Sequence, residues 1–101
     1  MEFRVLRYFL AVAREQSISA AAQALHLTQP TLSRQLRELE EELGKQLMVR
    51  GSRRIELTED GMLLRKRAEE IMELVSRTQA ELSSPDEAVT GDVYIGTGET
   101  D

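Results

Sequence analysis

Between Thr28 and Gly44 the chain reads TQPTLSRQLRELEEELG, and this stretch restricts the fold more than any other. Leu32, Leu36, Leu39 and Leu43 follow one another at intervals of four, three and four, so a helix carries all four on one face. Pro30 fits such a helix only in its first turn, where a missing N–H has no intrahelical partner to lose. Gly44 suits the left-handed position just past a helix end. The helix therefore starts near Gln29 or Pro30 and ends at Gly44. Its leucine face has to be covered by the rest of the chain.

The opposite face is of another kind. At 100° per residue Arg34 lies opposite the leucines, Pro30, Arg37 and Glu41 share the outer face, and Ser33 and Thr31 flank it. The first half of this surface is small, polar and cationic, whereas the second half carries Glu38, Glu40, Glu41 and Glu42. Only the N-terminal end suits a polyanion, and that is the end by which a helix-turn-helix enters the DNA major groove. There Arg34 can pair bidentately with a guanine edge and Gln29 with an adenine. Hydroxyls of Ser33 and Thr31 suit phosphates or bases. The candidate groove set is Thr28, Gln29, Pro30, Thr31, Ser33, Arg34 and Arg37. A solvated face on a purely structural helix satisfies the same pattern; the preceding segment is what favours DNA.

That segment, AAAQALH, is a short alanine-rich helix that lets a neighbour approach closely, capped by Ser17 or Ser19 and followed by a turn at Leu27 and Thr28. Upstream, residues 2–15 read as a helix with Phe3, Leu6, Leu10 and Ala13 on one face. Downstream, QLMVRGSRRIEL changes to a period near two, with Leu47 and Val49 before RGSRR and Ile55 and Leu57 after it, the pattern of a hairpin. Thr58 then caps a long helix running to about Leu82, with Glu59 and Asp60 at the positive end of its dipole. The fold class is mainly α with a small β-hairpin wing: a winged helix-turn-helix followed by a long dimerisation helix.

Arg50, Arg53 and Arg54 crowd the hairpin around Gly51, where like charges repel unless an anion neutralises them. Phosphates or a narrow minor groove would serve. A merely soluble turn is the plainer alternative. In the long helix Leu64, Ala68, Ile71, Val75, Thr78 and Leu82 are spaced four, three, four, three, four, an a/d seam of nearly three heptads. Pairing with a second copy would cover it, and two-fold symmetry then predicts a pseudo-palindromic DNA site. The alternative is one amphipathic helix folded back on its own domain.

The net charge of −5 at first opposes nucleic acid, but the charge is segregated. Residues 1–57 hold nine Arg and Lys against seven Asp and Glu, a net +2; residues 58–101 hold four against eleven, a net −7. With no cysteine and one histidine, disulfides, thiolate metal sites and multi-histidine metal sites are excluded. His26 reads as a turn residue, and consecutive Glu40, Glu41 and Glu42 splay around their helix, so no acid–base pair marks an enzyme. The apolar run Tyr8 to Ala13 is fenced by Arg7 and Arg14, far short of the roughly 18 residues a membrane span needs. SSPDEAVTG is linker-like, and DVYIGTGETD reads as a strand that stops without a partner, which suggests a fragment or an engineered truncation. The expected organisation is a DNA-binding domain at 1–58, a dimerising linker helix at 59–83, and a linker plus one strand at 84–101.

LRYFLAVAREQSISAAAQALHLTQPTLSRQLRELEEELGKQLMVR followed by LTEDG resembles the LysR-type transcriptional regulators of bacteria. The resemblance covers nearly the whole chain, and the long combined pattern is specific. The family usually has LF.R after the recognition helix; Met48 stands in place of that phenylalanine, which alters packing beside the wing. The resemblance implies a cytoplasmic, sequence-specific regulator that binds double-stranded DNA as a dimer through its recognition helix and wing. By matching positions, Gln29, Pro30, Thr31, Ser33 and Arg34 would meet the groove, and Arg50, Arg53 and Arg54 would form the wing. The resemblance further implies that residues 84–101 are a linker and the first strand of a truncated effector-binding domain; a small-molecule effector is expected for the full-length protein, near Thr97, Gly98 and Thr100, and full-length members often assemble as tetramers. No cofactor and no membrane partner are expected of this chain. A winged-helix protein-interaction module is the runner-up, motivated by the net negative charge.

Overall fold

The computed structural model describes residues 1–51 and 53–83. The sequence readings for Ser52, for the terminal strand and for Thr97, Gly98 and Thr100 lie outside the described residues. Three helices, α1 (Phe3–Glu15), α2 (Ile18–Leu25) and α3 (Gln29–Leu43), precede an antiparallel pair, β1 (Met48–Arg50) and β2 (Ile55–Leu57). A long α4 (Glu59–Ser83) follows. This is the winged helix-turn-helix order that the spacing predicts.

α1 lies at the centre, in contact with α2, α3, α4 and β2. Neighbours on several sides demand more than one apolar stripe, and the buried residues are Val5, Leu6, Phe9, Ala11 and Val12. The expected face is therefore rotated. Leu6 is buried as expected, Leu10 and Ala13 are only half-buried, and Phe3, the first residue of the helix, is exposed. Phe9 and Val12, at 0% exposure, take the central places.

Ser17 is the cap of α2; its Oγ accepts the Ala20 N–H at 3.1 Å. His26 ends the helix in the left-handed region (φ 60°), and the Leu27 N–H returns to the Ala22 carbonyl at 2.9 Å. This wraps the chain tightly into α3. Thr28 caps α3, and Gly44 closes it at φ 67°. Leu32, Leu36 and Leu39 are buried. Leu43, expected in the core, is exposed, because the last turn from Glu41 to Leu43 leaves the body.

The hairpin differs from its expected facing by one residue. Met48 pairs with Leu57, Val49 with Glu56 and Arg50 with Ile55. Buried Ile55 and half-buried Leu57 share the inner face, so Met48 turns inward and Val49 outward. Leu47, buried to 2% exposure, lies just before the strand rather than in its alternation. The Ile55 N–H donates to the Gln16 carbonyl at 2.9 Å and fastens the hairpin to the end of α1.

Thr58 joins hairpin to α4: its Oγ1 accepts the Gly61 N–H at 3.0 Å and donates to the Gln46 carbonyl at 2.7 Å. α4 rests on α1 and β2. Gly61 and Ala68 are buried, while Leu64, Ile71, Met72 and Val75 are half-buried. From Ser76 to Ser83 every residue is exposed. The proposed seam thus changes character along its length. Its first members, Leu64 and Ala68, pack on their own domain, as the folded-back alternative requires, whereas Thr78 and Leu82 project beyond it. At 25 residues α4 is about 37 Å long, more than the body can cover. Among the described residues no helix is long and apolar enough to cross a membrane.

Candidate nucleic-acid interface

α3 is anchored through its leucines and turns its opposite face to solvent. Thr28, Gln29, Pro30, Arg34 and Arg37 are exposed; Thr31 and Ser33 are half-buried on the flanks. The first turn is organised by a reciprocal pair: the Thr28 hydroxyl donates to Thr31 Oγ1 at 2.8 Å and accepts the Thr31 N–H at 3.4 Å. Thr28 and Thr31 are therefore partly engaged in capping. Arg34 lies 3.9 Å from Glu38, one turn on, and both side chains are exposed. Such a surface pair is worth little and leaves the guanidinium available to a stronger anion.

The structure brings one wing residue onto this helix. Arg50 Nη2 donates to Ser33 Oγ at 3.4 Å, and Arg37, Arg50, Ser33 and Gln46 line a single groove between α3 and β1. Arg54 does not join them. It borders a separate groove with Gln16, Glu56 and Arg65, between the hairpin and α4. Arg53 is exposed at the loop, which is closed by the Gly51 N–H donating to the Arg54 carbonyl at 2.8 Å. The three wing arginines thus spread around the hairpin instead of sharing one direction. Among the described residues no carboxylate stands within ion-pair distance of Arg37, Arg50, Arg53 or Arg54. Nor do any three metal-ligating side chains gather there.

Two residues enter from the structure alone. Glu40 Oε2 accepts the Leu47 N–H at 2.7 Å, tying α3 to the start of β1. Its signal in the sequence is faint: it stands four residues after Leu36, so it borders the leucine face while Glu41 and Glu42 point away. Arg65 lines the same groove as Arg54, and no local pattern announces it.

The residues 3–62 match the family model of the bacterial regulatory helix-turn-helix proteins, lysR family. The chain is 42% identical over 98 residues to the HTH-type transcriptional regulator BsdA of Bacillus subtilis, over 96% of this chain and 34% of BsdA. It thus spans about a third of that relative's length. To the HTH-type transcriptional regulator BudR of Klebsiella aerogenes it is 41% identical over 101 residues, all of this chain and 71% of BudR. It is also similar to the crystal structure of the CbnR DBD–DNA complex, with a TM-score of 0.80 and 41% identity over 86% of this chain and 100% of that one. The element order, the capped turn into α3 and the match over residues 3–62 agree: this chain belongs to the lysR family of bacterial regulatory helix-turn-helix proteins.

Proposed function

We propose that this chain is the double-stranded-DNA-binding part of a transcriptional regulator. The first two turns of α3 enter the major groove, and the wing lies on the neighbouring backbone. The observation that carries this reading is the hydrogen bond from Arg50 to Ser33, which joins the wing to the exposed polar end of α3. Gln29 and Arg34 read base edges. Thr28, Pro30, Thr31 and Ser33 fit the helix end against groove wall and phosphate. Arg37, Arg50, Arg53 and Arg54 supply counter-charge, Arg54 from the α4 side of the hairpin. The acidic second half of α3 leads away from the DNA.

Substituting Arg34 by alanine tests this directly. Specific binding is expected to weaken by about 1–3 kcal/mol, with relaxed preference at one base position. Arg53→Ala is expected instead to weaken binding to all duplexes alike and to flatten the salt slope by about one unit. Fluorescence-anisotropy titrations on selected and scrambled duplexes separate the two. Equal binding of both duplexes by wild type and Arg34→Ala would remove Arg34 from base reading.

The chain pairs with a second copy through α4. The free end of the seam carries this: Thr78 and Leu82 project past the body, half-buried Ile71 and Val75 lead up to them, and exposed Leu74 lies beside them. Leu64 and Ala68 serve as its inner edge while packing on α1. Leu74→Asp, at a position that is 56% exposed, is expected to leave the fold intact and convert a dimer to a monomer in light scattering. An unchanged dimer mass would exclude this face. Two heads so joined read half-sites about 34 Å apart. In a longer protein, a domain beginning with residues 84–101 would bind a small-molecule effector near Thr97, Gly98 and Thr100. Cytoplasmic residence and higher assembly belong to that longer protein as well.

A further inference from the structure

We infer that Glu40 is a positioning residue, which sets the wing beside α3 by holding the Leu47 amide; its functional half rests on the DNA-binding reading above. Gly44 and Lys45 close α3 by donating their N–H groups to the Glu41 and Glu40 carbonyls at 3.3 and 3.2 Å, and the strand pairing begins only at Met48. Leu47 is nonetheless held from every side. Its N–H donates to Glu40 at 2.7 Å, its carbonyl accepts the Thr58 N–H at 3.0 Å, and its side chain is in the core. One residue thus ties α3, the wing and the start of α4 together.

The bond to Glu40 is the charge-assisted member of this joint. It also refers the backbone at the entry of the wing to α3, where Arg50 reaches α3 only through its side chain and Thr58 refers the wing to α4. Without that carboxylate the part-buried Leu47 amide loses its acceptor, and β1 loses its reference to the recognition helix. The contact from Arg50 to Ser33 lies three residues further along the chain, at the end of β1, and depends on this placement. Of the three consecutive glutamates only Glu40 is half-buried, while Glu41 and Glu42 are exposed. The role thus belongs to one position of the acidic run, not to its charge.

The test compares Glu40→Ala, Glu40→Gln and Glu41→Ala in this chain. Hydrogen exchange at the Leu47 amide is expected to quicken roughly tenfold to a hundredfold in Glu40→Ala. It should stay near wild type in Glu40→Gln, whose amide oxygen still accepts, and in Glu41→Ala. On duplex DNA, Arg53→Ala is expected to weaken wild type severalfold but to change little in a Glu40→Ala background, because a misplaced wing has no contact left to lose. Unchanged Leu47 exchange, or losses that simply multiply, would overturn the positioning role. If Glu40→Ala does not fold, Glu40→Asp, one methylene shorter, takes its place with the same expectations. Failure of wild type to bind any duplex would refute the DNA reading only, since the exchange comparison decides the Glu40–Leu47 bond without DNA.

Discussion

Replacing Phe9 by alanine is expected to leave about half of the protein unfolded at room temperature. Phe9 is the largest fully buried side chain and sits in α1, which touches α2, α3, α4 and β2. Truncating a buried phenylalanine costs about 3–5 kcal/mol, from lost burial and from the cavity left behind. A core of this size supplies about 3–5 kcal/mol of net stability. The two quantities are equal within their spread, so the variant should show a denaturation midpoint near zero urea by circular dichroism. A loss under about 1 kcal/mol would mean that α1 is not the centre of the fold.

Gly61→Ala is expected to destabilise by roughly 3 kcal/mol, against the usual sign for a glycine in a helix. Alanine ordinarily gains about 1 kcal/mol there. At Gly61 an added Cβ would stand 1.9 Å from the Leu47 carbonyl oxygen and 3.3 Å from Leu57 Cβ. Backbone cannot yield as a flexible side-chain tip can, so α4 has to lift from the joint at Leu47 and Thr58. Gly44→Ala is the internal control. It has open space around its Cβ and only the left-handed backbone to strain, which limits its cost to about 1–2 kcal/mol. Thermal melts of both variants decide the matter; a Gly61→Ala protein as stable as wild type would mean that α4 is not seated where the structure puts it.

Much of the architecture is legible because its signals are local. Pro30, Gly44 and the leucine spacing bound α3, and Thr58 marks the start of α4. Less of the packing is legible, because it is decided by distant neighbours. Phe3 and Leu10 look as apolar as Phe9 and Val12, and only the arrangement of α2, α3 and α4 around α1 tells them apart. In the hairpin Leu47 and Val49 share a period of two, yet Leu47 precedes the strand, so the inward position passes to Met48.

The interface shows the same division. The polar, cationic start of α3 follows from helix geometry alone. The crowding of arginines near Gly51 is visible in the sequence, but the two sides taken by Arg50 and Arg54 depend on the hairpin's pairing. Glu40 was hidden among identical neighbours, because a side chain that accepts a backbone N–H seven residues away leaves no periodic trace. Along α4 a single heptad pattern serves two purposes, its first half packing on α1 and its second half reaching past the body.

Selection of duplexes from a random-sequence pool by this chain at low salt tests the central claim most directly. Enrichment of a two-half-site pseudo-palindrome, released steeply as salt rises, is the predicted result. A pool whose sequences stay random after selection, at a salt concentration where basic DNA-binding surfaces hold any duplex, would contradict it.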